Sequence, residues 1–371
     1  MTTQPLARYG APNGALASGL TTSVTPRPGT QPSYTVEAVR RHLGDVRFTL
    51  VEVPDTQPRT KPKALDFALP LCRGEYVVVF DAEDRPEPDQ LLKSVSQFRA
   101  TPDISCLQAR LVIANGRRSP LSALFAGEYA ALFAVTLPAL ARWGFLVPLG
   151  GTSNHFRIRT LRELGGWDAF NVTEDADLGV RLTRRGLKTM VSQSWTLEDA
   201  PDRLGPWLGQ RTRWMKGWMQ TYLVHMRRPL RLLQDIGWQG FVTFQVIVLG
   251  MILAPLLHAG FFVYLGAMSL TDTPIWSSAD HWTMICLLVL GLGHGAAIAN
   301  NILGLHRTRQ RDLMGRQVAL PLYWLLIAWA TIKALVELLR RPFHWFKTPH
   351  YAAVRTPRGT IEVAPVREAG P

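Results

Sequence analysis

The chain has 371 residues, with 41 Lys and Arg against 28 Asp and Glu, a net charge of +13, and 47% hydrophobic residues. That length suits two domains or one domain with a membrane part, and long apolar runs in the last third turn the positive charge toward an anionic membrane surface rather than nucleic acid. Three widely spaced cysteines, Cys72, Cys106 and Cys286, fit neither a disulfide framework nor a metal-site spacing.

In chain order, residues 1–34 are rich in Pro, Gly, Ser and Thr, carry no apolar signal-peptide core, and are expected to be disordered. Residues 35–43 suit a short helix, and in residues 46–53 the positions Val46, Phe48, Leu50 and Val53 alternate as in a strand. Arg59-Thr60-Lys61-Pro62-Lys63 forms a basic loop ahead of a helix. There, unbonded N–H groups and the helix dipole would add to the lysine charge and bind an anion; the alternative is solvated lysines. Tyr76-Val77-Val78-Val79-Phe80 reads as a buried strand of an α/β sheet that ends directly in Asp81-Ala82-Glu83-Asp84. Ligands of open α/β sheets bind beyond the carboxyl ends of the strands, so these acids suit a hard divalent cation; an acidic surface turn is the simpler reading. A helix over residues 91–98 and a strand over residues 104–113 follow.

Residues 121–148 are almost continuously apolar and interrupted by Pro138, a composition shared by core helices and membrane-surface helices. Gly150 and Gly151 would then let the backbone approach a ligand closely. Glu174, Asp175 and Asp177 put three carboxylates into four residues at the start of a helix. Such a cluster either caps the helix or is held together by a cation or a proton-transfer role. A strand over residues 188–197 ends at Glu198-Asp199-Ala200-Pro201. Gln210, Arg213 and Trp214 fall at i, i+3 and i+4 of the next helix. One face thus carries an amide, a guanidinium and an indole, suited to a phosphate and a sugar ring or to anchorage at lipid headgroups.

Taken in order, Asp81-Ala82-Glu83-Asp84, Thr173-Glu174-Asp175 and Gln210-Arg211-Thr212-Arg213-Trp214 resemble the signatures of the membrane-embedded family 2 glycosyltransferases, over residues 58–350. These are the cellulose synthase, hyaluronan synthase and poly-N-acetylglucosamine synthase relatives. The resemblance implies an α/β fold, with a GT-A-like nucleotide-sugar domain over residues 35–235 and an α-helical membrane region over residues 236–340. It implies transfer of a sugar from a nucleotide-sugar donor, expected to be UDP-linked, to a growing polysaccharide. Mg2+ or Mn2+ would be held by Asp81, Glu83 and Asp84 on the donor diphosphate. Asp175 would be the general base with Glu174 beside it; Lys63, Gln210, Arg213 and Trp214 would bind the donor and its diphosphate; Gly151, Thr152 and Trp214 would line the acceptor site. Family members begin their catalytic domain with a strand, an Asn-Glu turn and an early aspartate that have no counterpart here, so the domain is expected to be N-terminally incomplete. The alternative is a catalytically inactive or truncated membrane subunit of a polysaccharide-synthesis system.

Residues 241–270 and 282–305 are long and apolar enough to span a bilayer. Arg307, Arg309, Arg311 and Arg316 then put the following loop, and with it the catalytic part, on the cytoplasmic side of a cell (inner) membrane. Gly291, Gly293 and Gly295 read as close helix-packing positions. Residues 318–339 are apolar, but a span there would export the basic Arg340-Arg341, so an interfacial or re-entrant helix is expected. Residues 341–371 would form a cytoplasmic tail whose Trp345-Phe346-Lys347-Thr348 resembles the family's gating loop. The partners expected are the nucleotide-sugar donor, a glycan acceptor, the lipid membrane and polysaccharide-export subunits. Nucleic acid is not expected, because the Trp-rich residues 207–218 are better explained by lipid and sugar contacts.

Overall fold

The computed structural model describes residues 19–24, 40, 44–45, 48–270 and 281–342; the expected gating segment and most of the expected helix over residues 35–43 lie outside them. Strand β1 (Gly19–Val24) pairs in parallel with β2 (Phe48–Val53). Residues 19–24 thus form a strand where none was expected; the rest of the segment expected to be disordered lies outside the described residues. The segment carries Thr21, Thr22 and Val24, which favour extended backbone, and β2 supplies the pairing edge that the local composition could not reveal. Helix α1 (Lys61–Ala68) follows, with Pro62 in its first turn, where a missing N–H costs no intrahelical bond.

The main sheet contains β3 (Tyr76–Val79), β4 (Arg85–Pro86), β5 (Ile104–Ile113), β6 (Asn154–Arg157) and β7 (Lys188–Glu198), in the spatial order β3-β6-β5-β7-β4. Only β5 and β7 pair in parallel; β6 runs antiparallel to both β3 and β5, and β4 antiparallel to β7. Strands β3, β5 and β7 therefore all point the same way. Their carboxyl ends deliver Asp81 and Glu198 to one edge, and β6 enters from that edge through Gly151-Thr152. Leu69, Val79, Cys106, Phe156, Leu161, Trp167, Leu178 and Leu182 pack α1, α4 (Ile158–Glu163) and α5 (Glu174–Arg184) on the sheet. Phe98, from α2 (Gln90–Ala100), closes it with Ile104 and Leu107.

Helix α3 (Pro120–Arg142) begins with a capping box in which Ser119 and Ser122 each accept the other's backbone N–H. Pro138 does not break it. The turn before the proline widens into a π segment (Leu132–Thr136), and the Ala134 carbonyl, four residues before Pro138, accepts from Arg307 Nη1 at 2.8 Å instead. Among the described residues four helices are long and apolar enough to cross a membrane (Pro120–Arg142, Pro229–Ser269, Thr283–Arg307 and Arg311–Arg340), and of these α3 is the one set into protein, with 61% of its most apolar window buried against 6% for Thr283–Arg307. It is a core element that joins the sheet to the other apolar helices.

Those helices are α7 (Pro229–Ser269), which turns at Gly237 (φ 69°), α8 (His281–Arg307), and α9 (Leu320–Arg340) behind a 3₁₀ stretch (Arg311–Ala319). Helix α6 (Leu204–His225) lies along α9, linked by Trp207 Nε1–H to Tyr323 Oη at 3.2 Å and by Lys216 to Glu337 at 3.4 Å. Gly291, Gly293 and Gly295 face open space rather than a neighbouring helix, so the close-packing expectation does not hold there.

Candidate active site

The turn after β3 is held by its own backbone. Asp84 N–H donates to the Asp81 carbonyl at 3.1 Å, and Asp81 N–H donates to Asp84 Oδ2 at 2.8 Å. The Thr152 hydroxyl, from the loop entering β6, donates a short hydrogen bond to the same Asp84 oxygen. Glu83 sits exposed on the turn. Lys61, in the first turn of α1, donates a short bond to Asp81 Oδ1 and a second, of 2.7 Å, to the Gly151 carbonyl. One ammonium therefore ties the acidic turn to the glycine loop.

Lys63 is not brought to this cluster, contrary to expectation. At about 100° per residue it lies on the opposite side of α1 from Lys61, and its Nζ donates to the Pro54 carbonyl at 2.9 Å and the Thr56 hydroxyl at 2.7 Å. Lys61, from the same basic loop, is the lysine that reaches the acidic turn.

Glu174 and Asp175 open α5, where the positive helix end stabilises carboxylates. Asp175 Oδ1 accepts from Ala176 N–H at 2.8 Å, and a Cβ on Gly151 would stand 3.4 Å from Asp175 Oδ2, so the glycine loop and this carboxylate share one wall. Helix α6 lies directly against the junction. A Cβ at Gly217 would come within 2.2 Å of Thr173 Oγ1, and Arg213 Nη1 donates to the Val172 carbonyl at 3.2 Å. Asp177 points away, to Arg181 at 2.7 Å and His225 at 2.9 Å.

The Gln-x-x-Arg-Trp segment divides between two tasks. Gln210 Oε1 is buried without a hydrogen-bond partner, and Trp214 packs beside Tyr129 and Phe125 at ring distances of 6.2 and 5.8 Å. Arg211 turns the other way, donating to both oxygens of Glu128 at 2.6 and 2.7 Å and to Tyr323 Oη at 2.9 Å.

The electrostatics of the edge are unbalanced. Asp81, Glu83, Asp84, Glu174, Asp175 and Glu198 face two cations, Lys61 and Arg213. Burial and then the neighbouring Asp175 push Glu174 up to about 7, and burial raises Asp175. Burial, reinforced by Asp81, pushes Asp84 up to about 6. Burial and then Asp84 and Asp81 lift Glu198 well above the usual carboxylate range. Burial opposes the Lys61 charge, but Asp81, Glu174 and Asp175 together hold its ammonium above the usual lysine range.

Among the described residues no three carboxylate, imidazole or thiolate groups converge on one point. Asp81 and Asp84 are turned toward Lys61 and Thr152. The donor set is nevertheless all carboxylate oxygen in a field of excess negative charge, which suits Mg2+ or Mn2+ and is unsuited to softer metals. Glu198 carried no role in the sequence, and Lys61 only that of one cation in a basic loop. The signal for Glu198 was its position at the carboxyl end of a strand, as for Asp81.

The model of the glycosyl transferase family group 2 matches residues 76–354. Among curated proteins, the chain is 25% identical over 248 residues to glucomannan 4-beta-mannosyltransferase 2 of Arabidopsis thaliana, covering 63% of the chain and 46% of that protein. It is 30% identical over 144 residues, 38% of the chain and 25% of the relative, to a probable glucomannan 4-beta-mannosyltransferase 7 of Oryza sativa subsp. japonica. The matches thus span less than half the length of these relatives. Among solved structures, a mannosyltransferase from Pyrobaculum calidifontis in complex with GDP-Man and Mn2+ superposes with a TM-score of 0.55 at 19% identity, covering 86% of this chain and 77% of that one, a likeness of fold.

Proposed function

Because the chain belongs to the glycosyl transferase family group 2, we propose that it is a membrane glycosyltransferase that moves a hexosyl group from a nucleoside-diphosphate sugar to a hydroxyl of a growing glycan. The observation that carries this reading is the convergence of three motifs through one residue: Lys61 bonds both Asp81 and the Gly151 carbonyl, and Gly151 abuts Asp175.

In this reading an acceptor hydroxyl enters beside Gly151 and Thr152. Asp175 takes its proton as the hydroxyl oxygen bonds to the anomeric carbon, and the bond from that carbon to the diphosphate oxygen breaks, releasing the nucleoside diphosphate. Glu174, with its carboxyl raised to about 7, sits beside the base and is only partly ionised near neutrality. Arg213 and Lys61 compensate the negative charge of the diphosphate, Gln210 offers an unsatisfied amide carbonyl, and Trp214 with Tyr129 forms an aromatic wall suited to a sugar face. A divalent cation held by Asp81, Glu83 and Asp84 would neutralise the leaving diphosphate.

The relatives described as mannosyltransferases, and the fold neighbour bound to GDP-Man, set GDP-mannose beside the UDP-linked donors first expected. The apolar helices support residence in a membrane, and the arginines from Arg307 to Arg316 support a cytoplasmic catalytic face. The test is calorimetric titration of the detergent-solubilised chain with GDP and with UDP, with and without Mn2+, beside Asp81→Asn. Metal-dependent binding of one nucleotide, lost in the variant, is expected, followed by sugar release from the matching donor. A folded protein that binds neither nucleotide would instead be the inactive subunit.

A further inference from the structure

Glu198 is the one acid of the sheet edge that has been given no task, and its surroundings are unusual. It ends β7, and the antiparallel register of β4 with β7 pairs Arg85 with Leu197 and Pro86 with Thr196. Asp84 and Glu198 each stand one residue beyond the last pair of that register, and Asp84 is the charge that acts most strongly on Glu198. Like charges brought close across a strand pair repel.

The cations near this pair are committed elsewhere. Lys61 donates to Asp81 and the Gly151 carbonyl. Arg85 reaches across the edge to Asp199, at 2.9 Å, and leaves the adjacent Glu198 alone. Glu198 Oε1 is buried and makes no hydrogen bond. A buried carboxylate oxygen without a donor, set against a second carboxylate, costs stability unless something positive joins them. The sheet could have avoided the cost with a glutamine or leucine at the end of β7.

From this juxtaposition we propose that Glu198 is a further carboxylate ligand of the divalent cation, supplied by β7 from across the edge and facing Asp84, so that the metal is clamped between two strands rather than held by the Asp81–Asp84 turn alone. The inference rests on the metal-assisted reading above and deepens it. It gives the Asp-rich turn a partner about a hundred residues later in the chain, which the spacing of the turn itself does not contain. It also gives the cation a second role: it pins β4 to β7, whose pairing is only two residues long.

The experiment measures Mn2+ binding directly, by the loss of the free-ion electron paramagnetic resonance signal, with the full solubilised chain in the presence of saturating GDP or UDP. The proteins are wild type, Glu198→Gln, Asp199→Asn and Asp81→Asn, and thermal unfolding is followed for each with and without Mn2+. Glu198→Gln is expected to weaken Mn2+ binding about 10- to 100-fold, to lose most of the Mn2+-dependent rise in unfolding temperature, and to be at least as stable as wild type without metal, because a like-charge contact is gone. Asp199→Asn, whose carboxylate pairs with Arg85 on the exposed side, should bind Mn2+ as wild type does. Wild-type affinity in a folded Glu198→Gln, alongside weakened binding in Asp81→Asn, overturns the Glu198 assignment and leaves the metal reading standing. Absence of Mn2+ binding by wild type overturns both.

Discussion

Arg211 and Arg213 stand two residues apart in one motif, and the structure gives them opposite duties, which a single substitution separates. Arg211 is 2% exposed. It is paired through two bonds with Glu128, bonded to Tyr323 Oη, and ringed by Phe125, Trp207, Trp214 and Tyr323 at 4.9–5.9 Å. Arg211→Met keeps most of the stem and removes the charge. Removing one partner of a buried ion pair costs about 3–5 kcal/mol. The Glu128 side chain is 28% exposed, so water re-solvates part of the abandoned carboxylate and the expected loss falls to about 2–4 kcal/mol. For a chain of this size that corresponds to a fall of roughly 5–10 °C in unfolding temperature. Adding Glu128→Gln removes the stranded charge and should recover part of the loss, with a coupling of about 1–3 kcal/mol in the double-mutant cycle. Thermal unfolding of the solubilised proteins, read beside calorimetric nucleotide binding, makes the measurement. Wild-type stability combined with abolished nucleotide binding in Arg211→Met would refute the assignment and place Arg211 on the ligand.

Asp175→Asn should lower the rate of transfer about 10²- to 10⁴-fold while nucleotide and Mn2+ affinity stay within a factor of a few, measured by single-turnover kinetics and titration; an equal loss of binding would argue against a base. Glu174 has an ordinary value of 4.5 and is raised to about 7 in the fold, so the native chain holds this proton more tightly than the unfolded chain over that window. Its contribution to the stability of the metal-free protein therefore falls as pH rises from about 4.5 to about 7, and Glu174→Gln should flatten the decline in unfolding temperature over that range; an unchanged slope counts against it. Gly217→Ala would set a methyl group 2.2 Å from Thr173 Oγ1, so the helix must shift, and a loss of about 1–3 kcal/mol is expected together with reduced transfer. Gly205→Ala, on the same helix with open space around it, is the control.

What the sequence revealed and what it hid divide along physical lines. Ile104–Ile113 and the strand ending before Asp81 were legible because a run of apolar residues bounded by charge has few other solutions in an α/β domain. The choice between Lys61 and Lys63 was not. Lys63 was singled out by the resemblance alone, and with both lysines in one basic stretch the composition could not choose between them. In the fold Phe67 is 45% exposed and the small residues Ala64 and Ala68 take the buried side. Pro138 misled in a similar way. A proline predicts a break when its helix is considered alone, but Arg307, 169 residues later, supplies the donor that the displaced Ala134 carbonyl needs. Strand β1 likewise depends on β2 for its edge, and no local pattern in a Pro- and Gly-rich segment announces such a partner.

Helix α6 is where the sugar chemistry and the apolar helices meet. Its Arg213 lies beside the carboxylates Glu174 and Asp175, while Trp207, Arg211, Lys216 and Gln220 bond to Tyr323, Glu337 and the Pro342 carbonyl of α9 and its end. Four polar links spaced along one pair of helices leave α9 little freedom to slide without carrying α6 with it. Since Gly217 allows no gap between α6 and Thr173, a displacement of α9 is passed on to the residues at the start of α5. Buried polar contacts of this kind add little net stability in an apolar setting, because desolvation offsets most of their attraction. Their effect is to fix register. The position of an apolar helix thereby becomes part of the geometry that holds Asp175 against Gly151, and the aromatic cage around Arg211 is the point at which the two are joined.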